Sequence, residues 1–249
     1  MGANVVAWKQ ATRAELATTA TFRIGYAQAL LDLVKAFDRI PHWLIVREAI
    51  ELGFPLWFVK LSLETYKLTR VIRIQQVVSH EVRAVRGITT GSGSACTEMK
   101  LVMIRIILKA SEAHPTVTPC CFVDDLSADK AAPDEHVDRE LGGFIEVVAA
   151  EFKANELELS PTKCVSIASS KALGEKLQAR WKELGLHIPY MKGVKSLGAG
   201  LGAGVRRNVQ VVKDRRVAFA ARVPRFRWLR RIGIDAAMLV RTGGKHAMT

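Results

Sequence analysis

Two adjacent carboxylates at the end of a short apolar run constrain the fold of this chain more than any other feature. Residues 120–126 read Cys-Cys-Phe-Val-Asp-Asp-Leu, between Pro119 and Ser127. An apolar run this short predicts a buried strand that reaches a tight turn. Asp124 and Asp125 would repel each other there and resist the loss of water. A bound divalent cation relieves both costs, since hard cations prefer carboxylate oxygens. A simple Asp-Asp turn that faces water is the alternative.

A second acid lies inside an apolar run further upstream. Asp32 interrupts residues 27–33, which otherwise read as a buried strand. A lone carboxylate in a protein core costs several kcal/mol unless it is paired or bound to a metal. If the two strands are neighbours, Asp32, Asp124 and Asp125 converge and can hold two metal ions. Such a metal pair clamps the attacking and leaving oxygens of a phosphoryl transfer.

The composition indicates a packed, strongly basic protein. The net charge of +13 and the sequence pI of about 9.9 favour nucleic acid as a partner first and an anionic membrane second. The four cysteines have neither C-x-x-C nor zinc-site spacing, which is typical of reduced thiols in an intracellular protein. No signal peptide or transmembrane segment is recognisable, so the sequence predicts a location in the nucleus or the cytoplasm.

The hydrophobic periodicity predicts an α+β chain. The order is strand, helix, helix, hairpin, loop and helix, strand–turn–strand, helix, strand, helix and hairpin. The turn of the first hairpin is expected near Ser79-His80, and residues 198–204 read as a flexible Gly-Ala segment. A helix is also expected around residues 8–16. This order is typical of an antiparallel sheet covered on one face by helices.

The acidic stretches belong to a series of motifs that resembles a known family. Residues 32–38, Asp-Leu-Val-Lys-Ala-Phe-Asp, resemble motif A of reverse transcriptases, in the form common in non-LTR (LINE-type) retrotransposons. Residues 86–91 resemble motif B, and residues 122–125 resemble motif C. Residues 159–164 and 194–198 are similar to motifs D and E. All five follow the order of the family, so the chain resembles a reverse transcriptase palm.

The resemblance implies a fold, a reaction and partners. The expected fold is α+β: a polymerase palm over residues 27–200, with a ferredoxin-like (RRM-like) antiparallel sheet and helices on one face. Residues 1–26 would be a remnant of the fingers or a linker, and residues 201–249 a basic, mostly helical thumb start or tail. The expected activity of this retrotransposon-derived fragment is DNA synthesis on an RNA template by two-metal nucleotidyl transfer, with Mg²⁺ or Mn²⁺. Its partners would be an RNA template, a DNA primer and deoxynucleoside triphosphates, with no membrane.

The resemblance also implies roles for single residues. The metal ligands would be Asp32, Asp124 and Asp125, and Lys163 would be the general acid that protonates the pyrophosphate leaving group. The nucleotide would contact positions of motifs A and B, which are Leu33, Phe37, Thr90 and Gly91. Phe37 would pack under its sugar and exclude a 2′-hydroxyl. Primer and template would contact the motif E hairpin and the basic segment, at Lys195, Gly198, Arg222, Arg225 and Arg227.

Several of these roles have plainer alternatives. A phenylalanine such as Phe37 is equally typical of an ordinary core. A lysine such as Lys163 is equally typical of a solvated strand end. The arginines and aromatic residues from 206 to 231 suit nucleic acid, but they also suit a basic amphipathic helix that covers the palm or binds a membrane surface. The expectation from the palm is that this segment contacts the template and the primer.

The motifs also depart from the family. Thr90 stands where motif B usually has Gln, and Gly93 and Ala95 stand where Pro and Ser usually follow. No match to the fingers motifs precedes Asp32. Two other interpretations therefore stay open, a catalytically inactive palm that only binds nucleic acid and a cyclase-like regulatory palm. The missing fingers favour the first of these, and the order of the five motifs disfavours the second.

Overall fold

A four-stranded antiparallel sheet lies at the centre of the computed structural model, which describes residues 3–19, 24–196, 199–203 and 208–239. In chain order the elements are α1 (Ala3–Thr19), β1 (Gly25–Leu31), α2 (Ala36–Arg39), α3 (His42–Glu51), α4 (Leu56–Tyr66), β2 (Arg73–Ile74), β3 (Val77–Val78), α5 (Ala95–Ala113), β4 (Thr118–Phe122), β5 (Asp125–Ala132), α6 (Asp134–Ala154), β6 (Val165–Ala168), α7 (Lys171–Glu183), β7 (Val194–Ser196), β8 (Ala199–Leu201), α8 (Gln210–Arg231) and α9 (Ala236–Leu239). The order in the sheet is β4-β5-β1-β6. The predicted α+β class with an antiparallel sheet is confirmed.

One face of the sheet packs against the main hydrophobic core. Successive strand residues point to opposite faces, so alternate residues of β1 and β5 enter this core. They are Ala27, Ala29, Leu31, Leu126 and Ala128. The long helix α6 contributes an apolar stripe at helical spacing, which consists of Val137, Leu141, Phe144, Val148 and Phe152. These buried apolar side chains fix α6 against β1 and β5.

The opposite face is covered by α1 and combines a small apolar cluster with buried polar residues, whereas the sequence predicts helices on one face only. Gln28, Ser127 and Asp129 point to this face, and all three are buried. α1 supplies partners for two of them. Gln10 Nε2 donates to Ser127 Oγ at 2.7 Å, and the Arg13 guanidinium binds both Asp129 oxygens, with Nε 2.9 Å from Oδ2. Buried polar groups need such partners, so α1 satisfies a face that would otherwise stay in water.

Two connections differ from the prediction. The first hairpin turns at Gln75-Gln76, because β2 pairs with β3 across these two residues, and not near Ser79-His80. Ser79 lies at the end of the hairpin away from the turn, where its amide donates to the Ile72 carbonyl at 2.9 Å. In the segment predicted to be flexible, residues 199–201 form β8, because Leu201 is buried beside α1 and pairs with Val194. The boundary predicted at residue 200 therefore falls inside this strand.

The basic C-terminal segment forms the long helix α8, which contacts the rest of the protein at β8. None of the residues of α8 is buried, and Pro224 lies within the helix. The predicted helical character of this segment is confirmed for residues 210–231. Among the residues that the structure describes, no helix combines the length and the apolar character that a bilayer crossing requires.

The contact between Arg13 and Asp129 predicts how stability depends on pH. Burial raises the pKa of Asp129 above its ordinary value of 3.8, and Arg13 opposes this rise. In Arg13→Met the folded-state pKa therefore rises further. The folded state then binds the proton more tightly than the unfolded state, so stability falls as the pH rises from about 4 through the folded-state pKa. We expect a loss of about 1–3 kcal/mol at pH 7 and a smaller loss near pH 4.

Urea denaturation at both pH values measures this difference. Arg139→Met is the matched control, because Arg139 is an exposed arginine that pairs with a carboxylate elsewhere. Equal losses at the two pH values would contradict a role of Arg13 as the counter-charge of Asp129.

Candidate active site

The two acidic stretches meet at one end of the central sheet. The register of β1 and β5 pairs Leu31 with Leu126, and its continuation places Asp32 opposite Asp125. β4 and β5 form a hairpin whose two-residue turn is Val123-Asp124. The predicted tight turn at the Asp pair is therefore confirmed. The predicted burial of the strand is wrong, because β4 lies at the edge of the sheet and its residues 119–122 are only half-buried. All three aspartates lie at or beyond the strand ends, where their side chains leave the apolar core.

The turn between β4 and β5 is strained. Val123 has a φ of 62°, in the left-handed region that a β-branched residue rarely adopts. Holding a residue in such a region costs on the order of 1–3 kcal/mol and persists only when the surroundings enforce it. Here Val123 packs against the main core, and the Cys121 thiol donates to its carbonyl oxygen at 3.3 Å. The strained turn thereby presents Asp124 and Asp125 at the tip of the hairpin.

The backbone of Asp32 is held by the loop that leads into β6. The Asp32 amide donates to Cys164 Sγ at 3.4 Å, and the same thiol lies 3.4 Å from the Asp32 carbonyl oxygen. The Ser160 amide donates to that carbonyl at 2.8 Å. Burial raises the pKa of the Cys164 thiol, so the thiol keeps its proton and can donate. Residues of the motif D region therefore fix the backbone position from which the Asp32 carboxylate extends.

Charge at the site is partly balanced from within the chain. Lys163 Nζ lies 3.3 Å from both carboxylate oxygens of Asp32, whose side chain is 26% exposed. Partial burial raises the pKa of Asp125, and the carboxylates of Asp124 and Asp32 raise it further, whereas Lys163 lowers it. These effects show that the acids are electrostatically coupled. Like charges held together in this way favour binding of a cation.

The three carboxylates that the sequence predicts to converge are not arranged as a ready metal site. Within the described ranges, no set of three or more His, Cys, Asp and Glu side chains is arranged to hold a metal ion. Asp32 pairs with Lys163 instead, because like charges repel and an ammonium group is within reach. The donor chemistry nevertheless fits a hard divalent cation. Asp32 and Asp125 line the same cleft, and their oxygens are the ligands that Mg²⁺ prefers.

The motif B segment crosses directly over α2. The Ile88 amide donates to the Phe37 carbonyl at 2.7 Å, and the Gly87 amide donates to the Ile40 carbonyl at 2.8 Å. Gly87 has a φ of 93°, and a Cβ atom there would lie 2.8 Å from the Asp38 carbonyl oxygen. Only glycine fits such a close approach without strain. This crossing brings motif B beside Phe37, which is partly buried against the main core.

The predicted nucleotide-contacting residues differ in exposure. Thr90 and Gly91 are exposed, and Gly91 has a φ of 90° with open space around its missing Cβ. Leu33 is 4% exposed and packs in the core, and its backbone forms an antiparallel bridge with Leu159. Thr90 and Gly91 therefore lie on an open loop, Phe37 lies half in the core, and Leu33 contributes no accessible side chain.

A cleft of about 330 Å³ gathers four of the predicted residues, which are Asp32, Asp125, Lys163 and Lys195. Lys195 enters it from the β7–β8 hairpin. The other predicted residues lie elsewhere. Gly198 falls outside the described residues. The predicted arginines of the basic segment, Arg222, Arg225 and Arg227, are exposed on α8.

The cleft also has a wall that sequence reasoning missed. Gln10 and Val6 of α1 line it, together with Cys120 and Ser127. The hydrophobic pattern of α1 is weak, so nothing local in the sequence indicates that this helix reaches the acids. The signal for this wall was indirect: the polar residues of β5 require hydrogen-bond partners once they are buried, and another element has to supply them.

Comparisons with known proteins agree with this geometry. The sequence matches the family model for reverse transcriptase (RNA-dependent DNA polymerase) over residues 25–200, from β1 into the β7–β8 hairpin. A search of curated proteins found no match. Among solved structures, the chain is similar to apo telomerase from Candida tropicalis truncated from its C-terminal domain, with a TM-score of 0.55 and 12% identity. The alignment covers 83% of this chain and 40% of the telomerase chain. At this identity, the similarity shows the fold alone.

Proposed function

We propose that this chain, which belongs to the reverse transcriptase (RNA-dependent DNA polymerase) family, extends a DNA primer along an RNA template. One observation carries the proposal: Asp32 and Asp125, from two paired strands, line one cleft beside Lys163. A carboxylate pair coupled in this way suits nucleotidyl transfer, in which charge develops on phosphate oxygens.

Under this proposal, each residue of the cleft has a role in the transfer. Asp32, Asp124 and Asp125 would hold two Mg²⁺ ions, with Mn²⁺ as a substitute. Bound divalent ions would stabilise the attacking 3′-oxygen of the primer and the oxygens of the leaving pyrophosphate. The 3′-hydroxyl loses its proton to solvent, the new bond joins its oxygen to the α-phosphorus, and the bond from that phosphorus to pyrophosphate breaks. Lys163 would leave Asp32 and donate its proton to the pyrophosphate, a general-acid role.

The substrates would lie along the motifs around the cleft. The incoming deoxynucleoside triphosphate would contact the exposed loop at Thr90 and Gly91, whereas Leu33 is buried. The primer end would contact Lys195 and Gly198 of the motif E hairpin. We further propose an origin in a LINE-type retrotransposon, since the motif A sequence has that form. The proposed division is fingers remnant or linker over residues 1–26, palm over 27–200 and a basic thumb start or tail over 201–249.

A catalytically inactive palm that only binds nucleic acid is the second candidate. Two observations favour it. The described residues contain no preformed group of three acids, and Lys163 occupies the Asp32 carboxylate. Both candidates share the nucleic-acid partners and differ only in whether the acids act on a nucleotide. Activity measurements on single aspartate variants therefore decide between them.

Primer extension on an RNA template with Mg²⁺ tests the proposal. Asp32→Asn should lower extension at least about 100-fold, because the loss of a metal-binding carboxylate removes several kcal/mol of transition-state stabilisation. Asp38→Asn is the matched control, since it removes the same charge from an exposed position on α2. It should leave the rate within about twofold. Binding of the primer–template without any extension by the native chain would establish the inactive palm instead.

Phe37 tests whether the resemblance extends to discrimination between sugars. A ring packed under the sugar would exclude a 2′-hydroxyl, and each hydrogen bond that burial removes is worth about 1–3 kcal/mol. Phe37→Val should therefore raise incorporation of ribonucleotides relative to deoxynucleotides by roughly 10- to 100-fold. The measurement is the ratio of the two incorporation efficiencies, with a melting curve for each protein. An unchanged ratio with a lowered melting temperature would identify Phe37 as core packing.

The exposed arginines of α8 are proposed to bind the phosphates of the template–primer. Each phosphate that a protein neutralises on duplex DNA contributes about 0.9 to the dependence of log K on log salt concentration. Replacing Arg222, Arg225 and Arg227 with Ala should reduce this slope by about 0.9 for each phosphate that the variant no longer neutralises. Alanine at three lysines of α7, which are Lys171, Lys176 and Lys182, removes equal charge from another helix and should leave the slope nearly unchanged. Equal effects of the two triple variants would contradict a specific role of α8.

A further inference from the structure

A buried polar cluster holds the open loop of motif B on the side that faces the protein interior. The loop, residues 89–94, reads Thr-Thr-Gly-Ser-Gly-Ser and leads into α5. The side chains of Ser92 and Ser94 contact Tyr66 at the end of α4, and Tyr66 in turn contacts Glu98 in the first turn of α5. Tyr66 is 3% exposed and Glu98 is fully buried. These two residues belong to none of the five motifs on which the resemblance rests.

The hydroxyl group of Tyr66 is the centre of the cluster. It donates to Glu98 Oε2 at 2.7 Å and lies 3.1 Å from Ser92 Oγ and 3.2 Å from Ser94 Oγ. The two serine oxygens are themselves 3.1 Å apart, and Ser62 Oγ donates to Ser94 at 3.3 Å. Because a carboxylate only accepts, Tyr66 directs its single proton to Glu98, and its oxygen accepts from the serine hydroxyls. Burial raises the pKa of Tyr66, which keeps this hydroxyl protonated.

The loop needs such an anchor because its own backbone is permissive. Gly91 has a φ of 90°, and the Cβ positions of Gly91 and Gly93 both face open space. Gly93 stands where the family that the chain resembles usually has Pro, so the loop lacks the residue that would restrict its backbone. A glycine in place of a restricted residue gives the chain more conformations to lose on binding. Side-chain hydrogen bonds to Ser92 and Ser94 offset that freedom.

We propose that Tyr66 and Glu98 are positioning residues that hold the Thr89–Ser94 loop in its binding conformation. The inference rests on the proposed function, since the ligand of the loop would be the incoming nucleotide on its template base. Neither residue touches the reacting atoms. They raise the fraction of molecules whose loop already has the binding conformation, and this fraction sets the apparent affinity for the nucleotide.

Two measurements on Tyr66→Phe test the inference, and one of them needs no activity. The variant keeps the ring and removes the hydroxyl, so Ser92 and Ser94 lose their link to Glu98. Hydrogen–deuterium exchange of the amides in residues 88–95 should accelerate about three- to tenfold, while exchange in the sheet stays unchanged. In primer extension, KM for the nucleotide should rise about three- to tenfold and kcat should stay within about twofold. Tyr190→Phe, which removes a hydroxyl group beside α7, is the matched control.

Variants at Glu98 and Gly93 separate positioning from a general loss of stability. Glu98→Gln keeps an acceptor for Tyr66 and should retain slow loop exchange, whereas Glu98→Leu should reproduce Tyr66→Phe. Adding Gly93→Ala to Tyr66→Phe should restore much of the protection, because an alanine there restricts the backbone and its Cβ meets open space. Exchange that rises equally throughout the chain, or loop exchange that does not change, would overturn the inference. A chain that never extends primers would refute the proposed function but not the role of Tyr66 and Glu98. Hydrogen–deuterium exchange of the loop tests that role without any polymerase activity.

Discussion

The pairing of β1 with β5 is the constraint on which the rest of the structure depends. Its antiparallel register places Asp32 opposite Asp125, so two acids that are far apart in sequence share one cleft. A shift of the register by one residue would turn Asp32 toward the core and expose Leu31, because strand side chains alternate between faces. The apolar residues of β1, Ala27, Ala29 and Leu31, hold the register by packing in the main core beside α6.

Placing acids at the end of a packed sheet creates an electrostatic problem that the chain solves with its own residues. Lys163 neutralises Asp32, and Cys164 and Ser160 satisfy the backbone of that aspartate. As a consequence, Lys163 competes with any bound cation for the Asp32 carboxylate. The same lysine, under the proposed function, is the proton donor to the leaving group, so one ion pair connects the folded resting site with the proposed chemistry.

The two faces of the sheet are stabilised in different ways. The face toward α6 is apolar and gains its stability from burial, whereas the face toward α1 carries Gln28, Ser127 and Asp129. Such polar residues cost free energy when buried unless their hydrogen bonds are made, and α1 makes most of them. The helix thereby also becomes a wall of the cleft, which links the stability of the N-terminal segment to the shape of the site.

Local pattern alone determined the elements that carry the acids. The apolar runs before Asp32 and Asp124, the stripe of α6 and the order of the motifs each depend on residues close in sequence, and each leads to the fold that the chain adopts. Tertiary structure decided which charges meet. The pairing of Lys163 with Asp32, the polar contacts of α1 and the anchor of the Thr89–Ser94 loop by Tyr66 and Glu98 join distant segments. No local periodicity encodes these contacts, because each depends on the register of strands and on which polar groups are buried together.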